Sequence, residues 1–247
     1  MVKGRSTSGM RVAAAGDLHC REEHRGRFTA WVDQINREAD LLLLCGDLTD
    51  RGWPQEAATL AGELSRLEVP CVAVFGNHDH EGGNEQTVAT KLRDVGVQVL
   101  DGGHWISEDR KVGVAGVKGF AGGFGNATLQ AFGESLVKTF VQGAVDEAHK
   151  LERALQELDG VENKLVITHY APVEETLVGE KVELFPFLGT SRLALPVDQL
   201  GARMVFHGHA HQGFPHGRTR GGTPVFNVAM PLLSRLTPDR RFLLIDL

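Results

Sequence analysis

Seven side chains able to hold a divalent ion recur at one kind of place in this sequence, just past the end of an apolar run. Asp17 and His19 follow Arg11–Gly16 (RVAAAG), and Asp47 follows Leu41–Cys45. Asn77 follows Cys71–Phe75, His169 follows Lys164–Thr168, and His209 and His211 follow Arg203–Phe206. Two carboxylates, four imidazoles and one amide mix hard oxygen with borderline nitrogen donors, a combination that suits first-row metals such as manganese, iron or zinc. Seven ligands are too many for one catalytic ion with open positions. They suit two ions sharing a bridging carboxylate. Such a pair, about 3.5–4 Å apart, can hold a bridging hydroxide and clamp a phosphoryl group for in-line displacement. Water is then the nucleophile, and no Ser or Cys is required. Asn77 is followed at once by His78, a proton donor, and Asp79, a carboxylate able to orient it.

The elements that must position these groups follow from pattern. Runs such as Leu41–Cys45 and Cys71–Phe75 are apolar throughout, as strands buried on both faces are. Strand alternation continued past Gly16 would turn Asp17 and His19 to one side as a chelating pair. Between the strands, Phe28, Trp31, Val32 and Ile35 make a helical stripe within Arg25–Arg37. Pro54 suits the first turn of a helix reaching Leu67, and Glu85–Val95 continues the alternation. Strands and helices in this order give parallel βαβ units with right-handed crossovers. In such units the polar sets gather at the carboxyl ends of the strands. Further strands are expected at Val97–Leu100, Trp105–Ser107, Lys111–Val117, Pro224–Val228 and Phe242–Leu247. Helices are expected at Glu134–Leu158 and Leu193–Leu200, and Thr176–Arg192 reads as irregular. Asp50 reads as a turn and helix start. Arg192 reads as a surface residue that could instead meet a phosphate oxygen or a substrate carboxylate.

Composition bounds the rest. With 247 residues, 42% hydrophobic and 23% charged, the chain can build a core without disulfides. Residues 1–9 read as a polar tail and residues 10–247 as one domain. The three cysteines, Cys20, Cys45 and Cys71, show no CxxC spacing and read as free thiols of a reducing, cytoplasmic compartment. A net charge of −6 with no basic run counts against bulk nucleic-acid binding. No apolar run reaches the length of a membrane span. The glycine-rich Gly116–Gly125 loop lacks both GxxxxGK(S/T) and GxGxxG, so it is not a nucleotide fingerprint. His24, His80, His104, His149, His207 and His216 read as structural, with His80 the exception to watch because it follows Asp79.

Taken together, Asp17-x-His19, Gly46-Asp47, Gly76-Asn77-His78-Asp79, His169 and Gly208-His209-Ala210-His211 resemble the motifs of the calcineurin-like metallophosphoesterase family, in order and across most of the chain. The resemblance implies an α/β fold, a four-layer α/β/β/α sandwich of two mixed sheets with helices outside. It implies two divalent or trivalent ions. One would be held by Asp17, His19, Asp47 and His211, the other by Asp47, Asn77, His169 and His209. His78 would contact the phosphate and protonate or stabilise the leaving oxygen, and Asp79 would orient His78. The expected activity is hydrolysis of a small-molecule phosphodiester or phosphomonoester. The rivals are a nuclease of the same fold and a non-catalytic binding or scaffold module.

Overall fold

The structure, a computed structural model, describes residues 9–247, so nearly all of the expected polar tail lies outside the described residues. Among the described residues eleven strands form two mixed sheets. In the first, β1 (Arg11–Ala15), β2 (Leu41–Cys45), β3 (Cys71–Val74) and β4 (Val97–Leu100) run parallel. The second comprises β5 (Gly103–Ile106), β6 (Val112–Gly116), β7 (Asn163–Thr168), β8 (Met204–His207), β9 (His216–Arg218) and β10 (Pro224–Asn227), in the order β5-β6-β7-β8-β10-β9. Its core β6-β7-β8-β10 is parallel, and β5 and β9 pair antiparallel at the edges. The chain then returns to the first sheet, where β11 (Leu243–Asp246) pairs antiparallel with β1.

The apolar run of β2 shows why four layers form. Leu42 and Leu44 face α1 (Thr29–Glu38), α2 (Pro54–Leu64) and α3 (Glu85–Arg93), packing with Trp31, Ile35, Leu60 and Leu92. Leu41, Leu43 and Cys45 face the other way, toward Val114, Leu165, Ile167 and Phe206 of the second sheet. That sheet's outer face is covered by α4 (Ser135–Gln156), with Leu151, Ala154 and Leu155 packed on Val166 and Val205. Each fully buried leucine contributes about 1.5–3 kcal/mol. The expected sandwich of two mixed sheets with helices outside is therefore the observed one.

Local departures have local causes. The helix α2 begins at Pro54 and is capped by Glu56, whose Oε2 accepts from the backbone N–H of Arg51 and Trp53. Asp50 does not start it; its carboxylate pairs with Arg21 instead, at 3.0 Å. The segment expected to be irregular holds the short α5 (Phe185–Leu188), and α6 (Ala194–Gln199) follows it. β9 is only three residues long, and α7 (Met230–Leu236) carries a proline at its second position; neither has a pattern that periodicity could find.

Candidate active site

All the sequence-predicted ligands lie past the carboxyl ends of β1, β2, β3, β7 and β8, where the two sheets meet. The sheets are stitched there by backbone. Gly16 N–H donates to Val228 O, and Met230 N–H donates back to Gly16 O, both at 2.9 Å. The His169 Nδ1 donates to Cys45 O at 3.0 Å, joining the end of β7 to the end of β2.

Asp17 and His19 do share a site, but not by strand alternation. Both adopt left-handed backbone in place of extended strand, with φ of 56° and 42°. Of the six non-glycine residues with positive φ among the described residues, four are Asp17, His19, Asp47 and His209. Such conformations cost about 1–3 kcal/mol each and persist where the surroundings enforce them. Here the enforcement is visible: Asp17, His19 and Cys20 donate their N–H groups to the Gly46, Asp47 and Leu48 carbonyls. Two motif glycines clear the space. A Cβ on Gly76 would collide with Asp47 Oδ1, and one on Gly208 with Asp17 Oδ2.

The donors fall into two principal groups. Asp17, His19 and His211 converge in one, and Asp47, His169 and His209 in the other, with the donor atoms of each group within 4.8 Å of one another. Asp47 stands between them: its Oδ2 is 3.8 Å from His19 Nε2 and its Oδ1 is 3.4 Å from His169 Nε2. The Asn77 Oδ1 lies 3.0 Å from His169 Nε2, on the second group. Burial and charge act together here. His169 is fully buried, which by itself pushes its pKa down, yet the Asp47 charge and hydrogen bond lift it to about 9. Burial and repulsion by His169 drive His209 to about 3. Burial raises Asp47, but His169 more than reverses this and holds the carboxyl below its ordinary range. In His19 both ring nitrogens are buried and have no hydrogen-bond partner, a costly state for a polar group unless an ion takes the lone pair. The residues present therefore fit a pair of bound metals.

His78 sits against this centre, its ring 4.6 Å from that of His19 and its backbone N–H donating to Asp47 Oδ1. The partner of its Nδ1 is the Asp50 carbonyl oxygen at 2.7 Å, which corrects the expectation that Asp79 orients the ring. Asp79, fully buried, instead accepts from Leu48 N, Thr49 N, Thr49 Oγ1 and Gly76 N, and so ties the loop after β2 to the loop after β3. Burial and the Asp47 charge raise its pKa against the opposing hydrogen bonds from Gly76 and Thr49. Asp50 is the residue that sequence reading underrated: with His19 and His78 it forms a third group of potential donors, and only its position three residues after Asp47 hinted at this.

His207 and His80 have structural partners, whereas Arg192 braces a loop with its Nη1 buried and lacking a hydrogen-bond partner among the described residues. His207 lies between Gly208 O and Thr176 Oγ1, with its pKa lowered to about 4 by burial. His80 pairs with Glu85. Arg192 is half-buried and donates to Leu129 O at 2.8 Å, bracing the segment after the glycine-rich loop. That loop is itself pinned, Gly122 N–H to Pro186 O and Gly123 N–H to Gly189 O, and Phe187 O reaches His209 Nε2 at 3.4 Å.

A family model described as calcineurin-like phosphoesterase matches residues 10–213. Among solved structures, a phosphopantetheinyl hydrolase from Mycobacterium tuberculosis is similar with a TM-score of 0.69 and 15% identity, the match covering 97% of each chain. The protein TT1561 of Thermus thermophilus is similar with a TM-score of 0.64 and 16% identity, over 97% of this chain and 99% of that one. A putative 5'-nucleotidase from Staphylococcus aureus matches with a TM-score of 0.51 and 16% identity, over 89% of this chain and 48% of that one. At these identities the likeness is one of fold. No curated protein matches the chain by sequence.

Proposed function

The chain belongs to the calcineurin-like phosphoesterase family, hydrolases acting on phosphoric ester bonds, and from that premise we propose that it hydrolyses a small phosphodiester or phosphomonoester at a dinuclear metal centre. Asp17, His19 and His211 would hold one ion and Asn77, His169 and His209 the other, with Asp47 shared. The observation that carries this reading is Asp47 itself, one oxygen turned to His19 and the other to His169. Two ions so held would supply Lewis acidity to the phosphoryl oxygens and would lower the pKa of a water nucleophile.

The protein's own contribution is positional. Asp79 and its four donors fix the loops that carry Asp47, Asn77 and His78. The Asp50 carbonyl accepts a hydrogen bond from His78 Nδ1–H, which leaves Nε2 as the working nitrogen toward substrate. In its protonated form that nitrogen donates to a phosphoryl or leaving oxygen. The phosphopantetheinyl hydrolase and nucleotidase folds among the similar structures agree with a small phosphorylated substrate. No helix among the described residues is long and apolar enough to cross a membrane. The free thiols of Cys20, Cys45 and Cys71, all buried, support a reducing compartment such as the cytoplasm.

The test is hydrolysis of p-nitrophenyl phosphate and bis(p-nitrophenyl) phosphate by metal-stripped protein given manganese, iron, zinc or no metal. Metal-restored cleavage of either ester is expected, and the ester cleaved separates phosphatase from phosphodiesterase. Binding of two ions without cleavage of either compound would contradict the reading.

A further inference from the structure

Beside the first donor group opens a cleft of about 370 Å³ whose walls include Asp17, His19, Arg21, His24, Arg27 and Arg241. Three arginines line it in a protein whose net charge is −6. Nothing in the linear sequence marks the cluster, because Arg241 comes from the segment just before β11 and the others from the loop after β1.

Their pairing is incomplete. Arg21 is held by Asp50, with Nε at 3.0 Å from Oδ2. Among the described residues Arg27 has only an imidazole partner: its Nη1 lies 2.7 Å from His24 Nε2, while Arg21 N–H donates to His24 Nδ1 at 3.2 Å. A neutral imidazole offers one lone pair, so the ring cannot accept from both donors. Arg241 is half-buried and has no ion-pair partner among the described residues. Its neighbour Arg240 is paired with Glu38 at 3.2 Å and lies over the Phe242 ring. A half-buried, unpaired arginine next to a paired one is unusual, since desolvated charges normally find a partner. Two arginines with spare donors facing one cleft form a receptor for an oxyanion, to which guanidinium groups bind in a fork.

We propose that this cleft binds a second anionic group of the substrate, so that the preferred substrates are phosphoesters carrying another phosphate or a carboxylate. The inference rests on the phosphoesterase reading of the adjoining site. The shared Asp17 and His19 walls put the bound oxyanion next to the reacting phosphoryl group. The Arg21–Asp50 pair connects the cleft to His78, because the Asp50 carbonyl orients that ring.

The test compares glycerol 3-phosphate, 3-phosphoglycerate and 2,3-bisphosphoglycerate on manganese-loaded protein, reading kcat/KM by phosphate release and, independently, Kd by calorimetry. A preference of about tenfold or more for a compound with a second anionic group over glycerol 3-phosphate is expected, the scale of hydrogen bonds to a charged group. The arms identify the anion: preference for 3-phosphoglycerate supports a carboxylate, and preference for the bisphosphate alone supports a phosphate. In Arg27→Gln/Arg241→Gln the ratio should fall to near one. Arg27→Gln alone, at an exposed position, should lower it partway and guards against misfolding of the double variant. Equal treatment of all three compounds by the wild type, or a preference that survives in the double variant, overturns the proposal. If no ester is turned over but the Kd preference and its loss persist, the cleft stands and the hydrolase reading falls.

Discussion

The two donor groups differ in how far they are withdrawn from water. In the second group, His169 is completely buried and Asp47 nearly so, and each is held by backbone as well as by its partners. In the first, Asp17 is buried, but the side chains of His19 and His211 remain 21% and 36% exposed, and His19 borders the arginine cleft. Electrostatic attraction is stronger where water is excluded. An ion in the second group should therefore be the tighter and slower to leave, and one in the first should exchange beside the substrate. One shared carboxylate allows this division, because Asp47 belongs to both environments.

The harshest way to break that comparison is to remove its hinge. Asp47→Asn should lower turnover by more than about 100-fold, beyond what loss of a supporting partner alone causes, and mass-spectrometric metal analysis should find fewer than two ions per chain. Gly76→Ala should come next. Its methyl group must displace Asp47, and misplacing a reacting array by about 1 Å costs on the order of 100-fold, while circular dichroism stays native. Chelation sharpens the difference without a mutation: competition with EDTA should remove the ions in two phases, with His211→Ala accelerating chiefly the first. Leu43→Ala probes the layer beneath both groups. It should cost about 2–5 kcal/mol in thermal or urea unfolding with both ions still bound at saturating metal. The smallest effect concerns Cys20, whose thiol is pushed up to about 12 by burial and by Glu56. Its alkylation by iodoacetamide at pH 8 should be negligible in the native protein and complete after unfolding.

The fold and the donors were legible for a physical reason. Leu41–Cys45 and Cys71–Val74 are apolar on both faces because each strand lies between helices and a second sheet, and the donors follow such runs closely. What the sequence did not display is what depends on conformation or on distant chain. The positive φ of Asp17, His19 and Asp47 replaces strand alternation, and no pattern of polar and apolar residues encodes it. The orientation of His78 passes to a backbone carbonyl, which is the same atom in every residue type, so Asp79 looked like the partner and is instead the tie between two loops. The arginine cleft needs Arg27 and Arg241 together, and only the antiparallel return of β11 beside β1 brings them there.

The most direct measurement is a crystal structure of the manganese-reconstituted protein with anomalous scattering recorded for the metal. Two peaks about 3.5–4 Å apart, one beside His19 and His211, the other beside His169 and His209, with Asp47 touching both, are expected. A single peak would contradict the dinuclear site, and two peaks that Asp47 does not bridge would contradict its shared carboxylate.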